Sequence, residues 1–255
     1  MKTAVIYLYP KKLFQSSFSF FFKFCISALL LLSVALGFSN LLFRSASEAS
    51  ADTALTEKKI TVVIDPGHGG RDGGAVGEDG TLEKELNLAG ALKLKAVLES
   101  ADIRVIMTRE TDIELASPNS SHKKADDLKA RLQLTHDQQI AIFISIHMNK
   151  FPVEKYRGLQ VYYSENNPES LTLAQTVQDT VQDSLQNTSD RKVKPAGDSI
   201  YLMKNLEIPA ILVECGFLSN EAERELLKDE DYQKKLALCF SAALLTYISS
   251  ENGLH

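Results

Sequence analysis

A chain of 255 residues, 44% apolar and 24% charged, is long enough to bury one large core and too apolar for wholesale disorder. Its formal net charge of −5 is unevenly spread: residues 1–51 hold five Lys/Arg against one Glu, a net of +4, which leaves −9 on the remainder. An acidic body without a basic patch is no nucleic-acid binder, and three cysteines (Cys25, Cys215 and Cys239) make no disulfide framework.

In chain order, Lys2, Lys11 and Lys12 precede an apolar stretch from Phe18 to Phe43, enough for a helix of about 20 residues to span a bilayer. Ala49-Ser50-Ala51 has the form of a signal-peptidase site, with cleavage before Asp52. The length of the stretch and its distance from that site suit an uncleaved anchor instead, so residues 1–51 read as a signal peptide or a membrane anchor. Either way the basic N-terminus stays inside and the body is exported. Residues 52–58 form a polar linker, and 59–252 read as one folded domain.

Lys59 to Ile64 is a β-branched run suited to a strand buried on both faces. It breaks into a glycine-rich loop over residues 65–81. Glu83 to Ser100 approximates helical periodicity through Leu86, Ala89, Leu92, Leu94, Val97 and Leu98. Ile103 to Met107 is a strand, Thr111 to Lys124 a polar loop and candidate lid, and Ala125 to Gln138 a helix with Lys129 and Arg131 on its solvated side. Ile140 to Ile146 and Leu159 to Tyr163 read as strands, and Pro168 to Leu185 as a helix with Pro168 near its first turn. Ser199 to Met203 and Ala210 to Val213 read as further strands, and Glu221 to Leu227 and Asp231 to Ser250 as closing helices. Strands alternating with helices predict a three-layer α/β domain, with a mostly parallel central sheet between helices. Cys215 and Cys239 read as buried small apolar residues.

Three predicted strands lead to chemically capable residues: Ile64 to His68, Ile146 to His147 and Val213 to Glu214. Ligands gather beyond the carboxyl ends of strands in such sheets, so residues remote in sequence can converge there, and Glu83 opens a helix at the same edge. Two imidazoles and a carboxylate with an open fourth position form the ligand set of a catalytic zinc site. Each residue also has a plainer reading: a loop-packing His68, a core His147, a Glu83 that complements a helix dipole. Glu85 rivals Glu83. Glu214, after four apolar residues, is a carboxylate brought near the interior, unfavourable unless paired or beside a metal.

The segments Asp65-Pro66-Gly67-His68-Gly69-Gly70, Glu83-Lys84 followed by Asn87-Leu88, Ser145-Ile146-His147-Met148-Asn149 and Val213-Glu214-Cys215-Gly216-Phe217-Leu218-Ser219-Asn220 resemble the zinc N-acetylmuramoyl-L-alanine amidases in order and separation. Within that family, Val105 to Glu110, Lys124 to Leu128 and Ile200 to Met203 resemble the germination-specific members of endospore-forming bacteria. The resemblance implies that His68, Glu83 and His147 bind Zn2+ and that Glu214 is the catalytic carboxylate. It also implies a peptidoglycan substrate, in the wall or spore cortex outside the membrane, and an activating protein partner as in some relatives. The competing readings are a zinc peptidase cutting within the stem peptide and a partner-dependent wall-remodelling amidase of vegetative cells. Asn149 and Asn220 read as loop caps or sugar and peptide contacts, Arg109 as a partner of a substrate carboxylate or of Glu110 or Asp112, and Tyr201 and Met203 as core.

Overall fold

The computed structural model describes residues 60–136, 140–185 and 190–252. Within these, the strands are β1 (Thr61–Pro66), β2 (Arg104–Met107), β3 (Ile140–Asn149), β4 (Gln160–Tyr163), β5 (Lys194–Pro195) and β6 (Ala210–Phe217). The helices are α1 (Glu83–Ser100), α2 (Lys123–Gln133), α3 (Glu169–Leu185), α4 (Tyr201–Asn205), α5 (Glu221–Lys228) and α6 (Glu230–Asn252). One six-stranded sheet runs in the order β2-β1-β3-β6-β4-β5. Every neighbouring pair is parallel except β4 with β6. The expected α/β architecture with a mostly parallel sheet between helices is the one observed.

Strand side chains alternate between faces, and the two faces differ. Val62, Ile64, Ile142, Ile144, Ile146, Ile211 and Val213 point into a large apolar cluster with Leu94 and Leu98 of α1, Leu173 and Val177 of α3, and Phe240 and Leu244 of α6. Each such buried aliphatic side chain contributes about 1.5–3 kcal/mol, so this layer carries most of the stability. Val63, Phe143, Ala210 and Leu212 point the other way, against Leu202, Met203 and Leu206, with Leu128 and Leu132 of α2 packed alongside. Cys215 and Cys239 are buried free thiols.

Several elements depart from the sequence reading. Ser199 to Met203 is no strand: Tyr201–Asn205 is a single helical turn that presses Leu202 and Met203 onto the sheet. A short apolar run cannot be told apart as strand or helix by periodicity alone. Arg131, read as solvated, is only 2% exposed and is ion-paired inside the molecule. Leu92, read as part of the buried face of α1, is exposed. Strands β3 and β6 run past His147 and Glu214, so both residues lie inside strands rather than at their ends. The short strand β5 was not foreseen. The predicted N-terminal span and linker lie outside the described residues, and no helix among the described residues is long and apolar enough to cross a membrane.

Candidate metal centre

The carboxyl ends of β1, β3 and β6 lie side by side, with Asp65 opposite Ser145, Ser145 opposite Leu212, and His147 opposite Glu214. Period two therefore sends Asp65, Ser145, His147 and Glu214 out of the same face. After β1, His68 takes a left-handed φ of 60°, uncommon for a residue with a side chain, and Gly69 and Gly70 continue at positive φ. The turn brings the His68 ring edge-on to that of His147, with centroids 5.0 Å apart.

Glu83, the first residue of α1, completes the cluster. Its Oε2 accepts from the Ala75 amide at 2.7 Å. Its Oε1 accepts from the Met148 amide at 3.1 Å and from Asn87 Nδ2 at 3.2 Å. The same Oε1 lies 2.9 Å from His147 Nδ1 and 3.2 Å from His68 Nε2. Donor atoms of His68, Glu83 and His147 all fall within 4.8 Å of one another. Burial disfavours the Glu83 charge, but His147 and His68 outweigh it and hold the carboxyl well below the usual range. For His68, burial works against the charged ring, yet the Glu83 and Asp72 carboxylates win and its pKa is raised.

Glu214 sits across from His147 in a different condition. Its Oε2 is buried without a hydrogen-bond partner among the described residues. Burial pushes its carboxyl up to about 7; the His147 imidazole opposes that shift and the Glu83 charge reinforces it. An orphaned buried carboxylate oxygen is uncommon and calls for a partner from outside the chain.

Close packing explains the glycines. A Cβ at Gly67 would fall on the His147 ring, and one at Gly74 would meet both the Glu83 carboxylate and the His68 ring. Gly67 and Gly74 thus give room to the site's own side chains. Two buried arginines hold the backbone between β1 and His68. Arg109 donates to the carbonyls of Pro66 (3.0 Å), Gly67 (2.9 Å) and Lys84 (2.9 Å). Arg131 donates to those of Pro66 (2.9 Å) and His68 (2.6 Å) and pairs with Asp65 at 2.6 Å. Burial raises the Asp65 pKa, but Arg131 with Thr108 and Ser145 overrides this and holds the carboxyl below its usual range.

A cavity of about 460 Å³ opens from His68, His147 and Glu214 toward Leu128 of α2 and Tyr201 of α4, with Arg71 and Lys124 at its rim. Two imidazoles and one carboxylate, preorganised around a common point beside an unpaired acid, fit a catalytic zinc ion.

A family model described as N-acetylmuramoyl-L-alanine amidase matches residues 62–246. The chain belongs to this amidase family. It is 37% identical over 228 residues to the germination-specific N-acetylmuramoyl-L-alanine amidase of Bacillus subtilis, covering 86% of this chain and 95% of that protein. Among solved structures it is similar to the CwlD amidase from Clostridioides difficile in complex with the GerS lipoprotein. That likeness has 40% identity and a TM-score of 0.72, and covers 75% of this chain and all of the other. An N-acetylmuramoyl-L-alanine amidase from Clostridium difficile 630 follows at 31% identity and a TM-score of 0.68, covering 76% of this chain and 99% of the other.

All four residues singled out from the amidase motifs, His68, Glu83, His147 and Glu214, line one site. The rival Glu85 is exposed. Arg109 meets backbone carbonyls rather than Glu110, Asp112 or an open groove. Asn220 caps α5 by accepting from the Glu223 amide. Ile200 to Met203, read as core at Tyr201 and Met203, also walls the cavity. Asp65 and Arg131 were not anticipated as part of the site's support. Their only sequence signal is an aspartate at the end of an apolar strand, unfavourable there without a partner. The candidate lid is tied down in part, since Asp112 accepts from the Gly70 amide at 2.8 Å and Leu115 N–H donates to Asp127 at 2.6 Å.

Proposed function

We propose that this chain is a zinc-dependent amidase that hydrolyses the amide between the lactyl group of N-acetylmuramic acid and the L-alanine of the stem peptide. The supporting observation is the convergence of His68, Glu83 and His147 donors within 4.8 Å beside an unpartnered Glu214 carboxylate. In this reading the three are the zinc ligands and Glu214 is the general base. Zinc, when bound there, supplies Lewis acidity that polarises the scissile carbonyl and eases ionisation of water near neutral pH. Glu214 takes the proton of the attacking water and hands it to the departing L-alanine nitrogen. Its buried carboxyl, raised toward neutrality, suits both halves of that transfer. The cavity beside α2 and α4 receives the muropeptide.

The likeness to germination-specific relatives supports a role in spore cortex maturation, in which peptides are stripped from muramic acid so that another enzyme can form the lactam. Residues 1–51 serve as signal peptide or anchor, 52–58 as linker and 59–252 as the exported catalytic domain. An accessory lipoprotein, as in the C. difficile complex, is the activating partner this reading favours.

Mass spectrometry of digested peptidoglycan tests the reaction. The expected products are intact stem peptides with a free L-alanine amine and muramic acid with a free lactyl carboxylate. Peptides shortened while muramic acid stays substituted would establish a stem-peptide peptidase instead. Activity should vanish with chelator and return with zinc.

A further inference from the structure

We infer that Asp72 is a positioning residue for the metal ligand His68, and that Lys124 of α2 keeps Asp72 in that position. The inference rests on the zinc reading above. The His68 ring has two nitrogens on opposite sides. Nε2 faces Glu83 Oε1 at 3.2 Å, and Nδ1 lies 3.0 Å from Asp72 Oδ2. That Nδ1 is buried and has no well-aligned hydrogen bond, so the carboxylate is within reach but slightly off line.

Asp72 is itself restrained from three directions. Its Oδ2 accepts from Lys124 Nζ at 2.8 Å and its Oδ1 from the Gly74 amide at 3.2 Å. Its backbone exchanges two hydrogen bonds with Gly69, at 2.9 and 3.1 Å. An imidazole that gives Nε2 to a metal must carry its hydrogen on Nδ1. A carboxylate accepting that hydrogen selects the tautomer, fixes the ring's rotation and raises the basicity of the ligating nitrogen. Helix α2 therefore grips His68 twice, at its ring through Lys124 and Asp72 and at its carbonyl through Arg131. Seating of α2 and affinity for zinc are linked through one side chain.

The test measures zinc affinity of the full-length chain by competition with a chromophoric chelator, alongside the thermal midpoint of the metal-free protein. Asp72→Ala should weaken zinc binding roughly 10–100-fold with the metal-free midpoint near wild type. Asp72→Asn keeps one acceptor oxygen, which can serve the ring or the Gly74 amide but not both, so it should lose less than Asp72→Ala. Lys124→Ala should give a smaller loss that adds nothing on top of Asp72→Ala, because both act through the same contact. If Asp72→Ala fails to fold, the Asn and Lys124 variants still decide. Wild-type zinc affinity in Asp72→Ala would overturn the inference, as would losses that add in full or that follow the metal-free midpoint. A wild-type chain that binds no zinc overturns the metal reading and this inference with it; normal binding with an unaffected Asp72→Ala overturns this inference alone.

Discussion

On one face of the sheet the strand side chains are aliphatic, and three helices of 17 to 23 residues cover them. On the other face the same strands turn out Asp65, Ser145, His147 and Glu214, and α2, with 11 residues, and α4, with five, are the only helices among the described residues that lie over them. The first face meets a single condition, burial of apolar surface. The second must hold charged groups near the interior, and does so through ion pairs, backbone carbonyls and an open cavity. Apolar packing and the candidate site thus lie on opposite faces of one sheet, and mutations on the two faces should differ in whether they touch zinc and turnover.

The largest effect belongs to the site face. Glu214→Gln should lower the hydrolysis rate roughly 10²–10⁴-fold while zinc stays bound, as read from steady-state rates beside metal stoichiometry. A variant with near-normal turnover would remove Glu214 from the mechanism. Arg131→Met leaves a buried Asp65 unpaired and should destabilise the fold by about 3–5 kcal/mol, measured by urea unfolding; a cost under 1 kcal/mol would mean that Asp65 finds solvent.

That ion pair also predicts acid sensitivity. The native Asp65 carboxyl lies below its unfolded value, so its contribution is complete above the ordinary aspartate pKa of about 3.9 and is lost as pH falls through the depressed native value. The stability of Arg131→Met should therefore fall less steeply with acid than that of the wild type.

The opposite face sharpens the contrast. Leu94→Ala should cost about 2–5 kcal/mol of stability yet leave zinc affinity and turnover per folded molecule unchanged, and a parallel loss of zinc would show that the faces are not independent. Smallest is the loss of the α5 cap: Asn220→Ala should cost about 1 kcal/mol in thermal unfolding, with no change in the products of hydrolysis.

Much of this was legible in the residues. The runs at 59–64 and 140–146 predict buried strands, because β-branched and other apolar residues dominate both and few polar residues fall among them. His68, Glu83, His147 and Glu214 stand out because each falls in one of the four segments that resemble the amidase motifs. Ile200 to Met203 resisted: four apolar residues satisfy a strand or a helical turn equally, and only the sheet surface beneath Leu202 and Met203 decides between them. Arg131 resisted for a different reason. On a helix it resembles its neighbour Lys129, and its pairing with Asp65 joins residues 66 positions apart.

Local pattern marked out most of the strands and helices, and the resemblance of four segments to the amidase motifs marked out His68, Glu83, His147 and Glu214 as the candidate site residues. Tertiary structure decided how those side chains are held: which glycines make room for rings, which arginines grip the loop, and which carboxylate stands behind His68. These are relations across many intervening residues, set by strand register and helix seating, and nothing in the neighbouring sequence of any one of them specifies its partner.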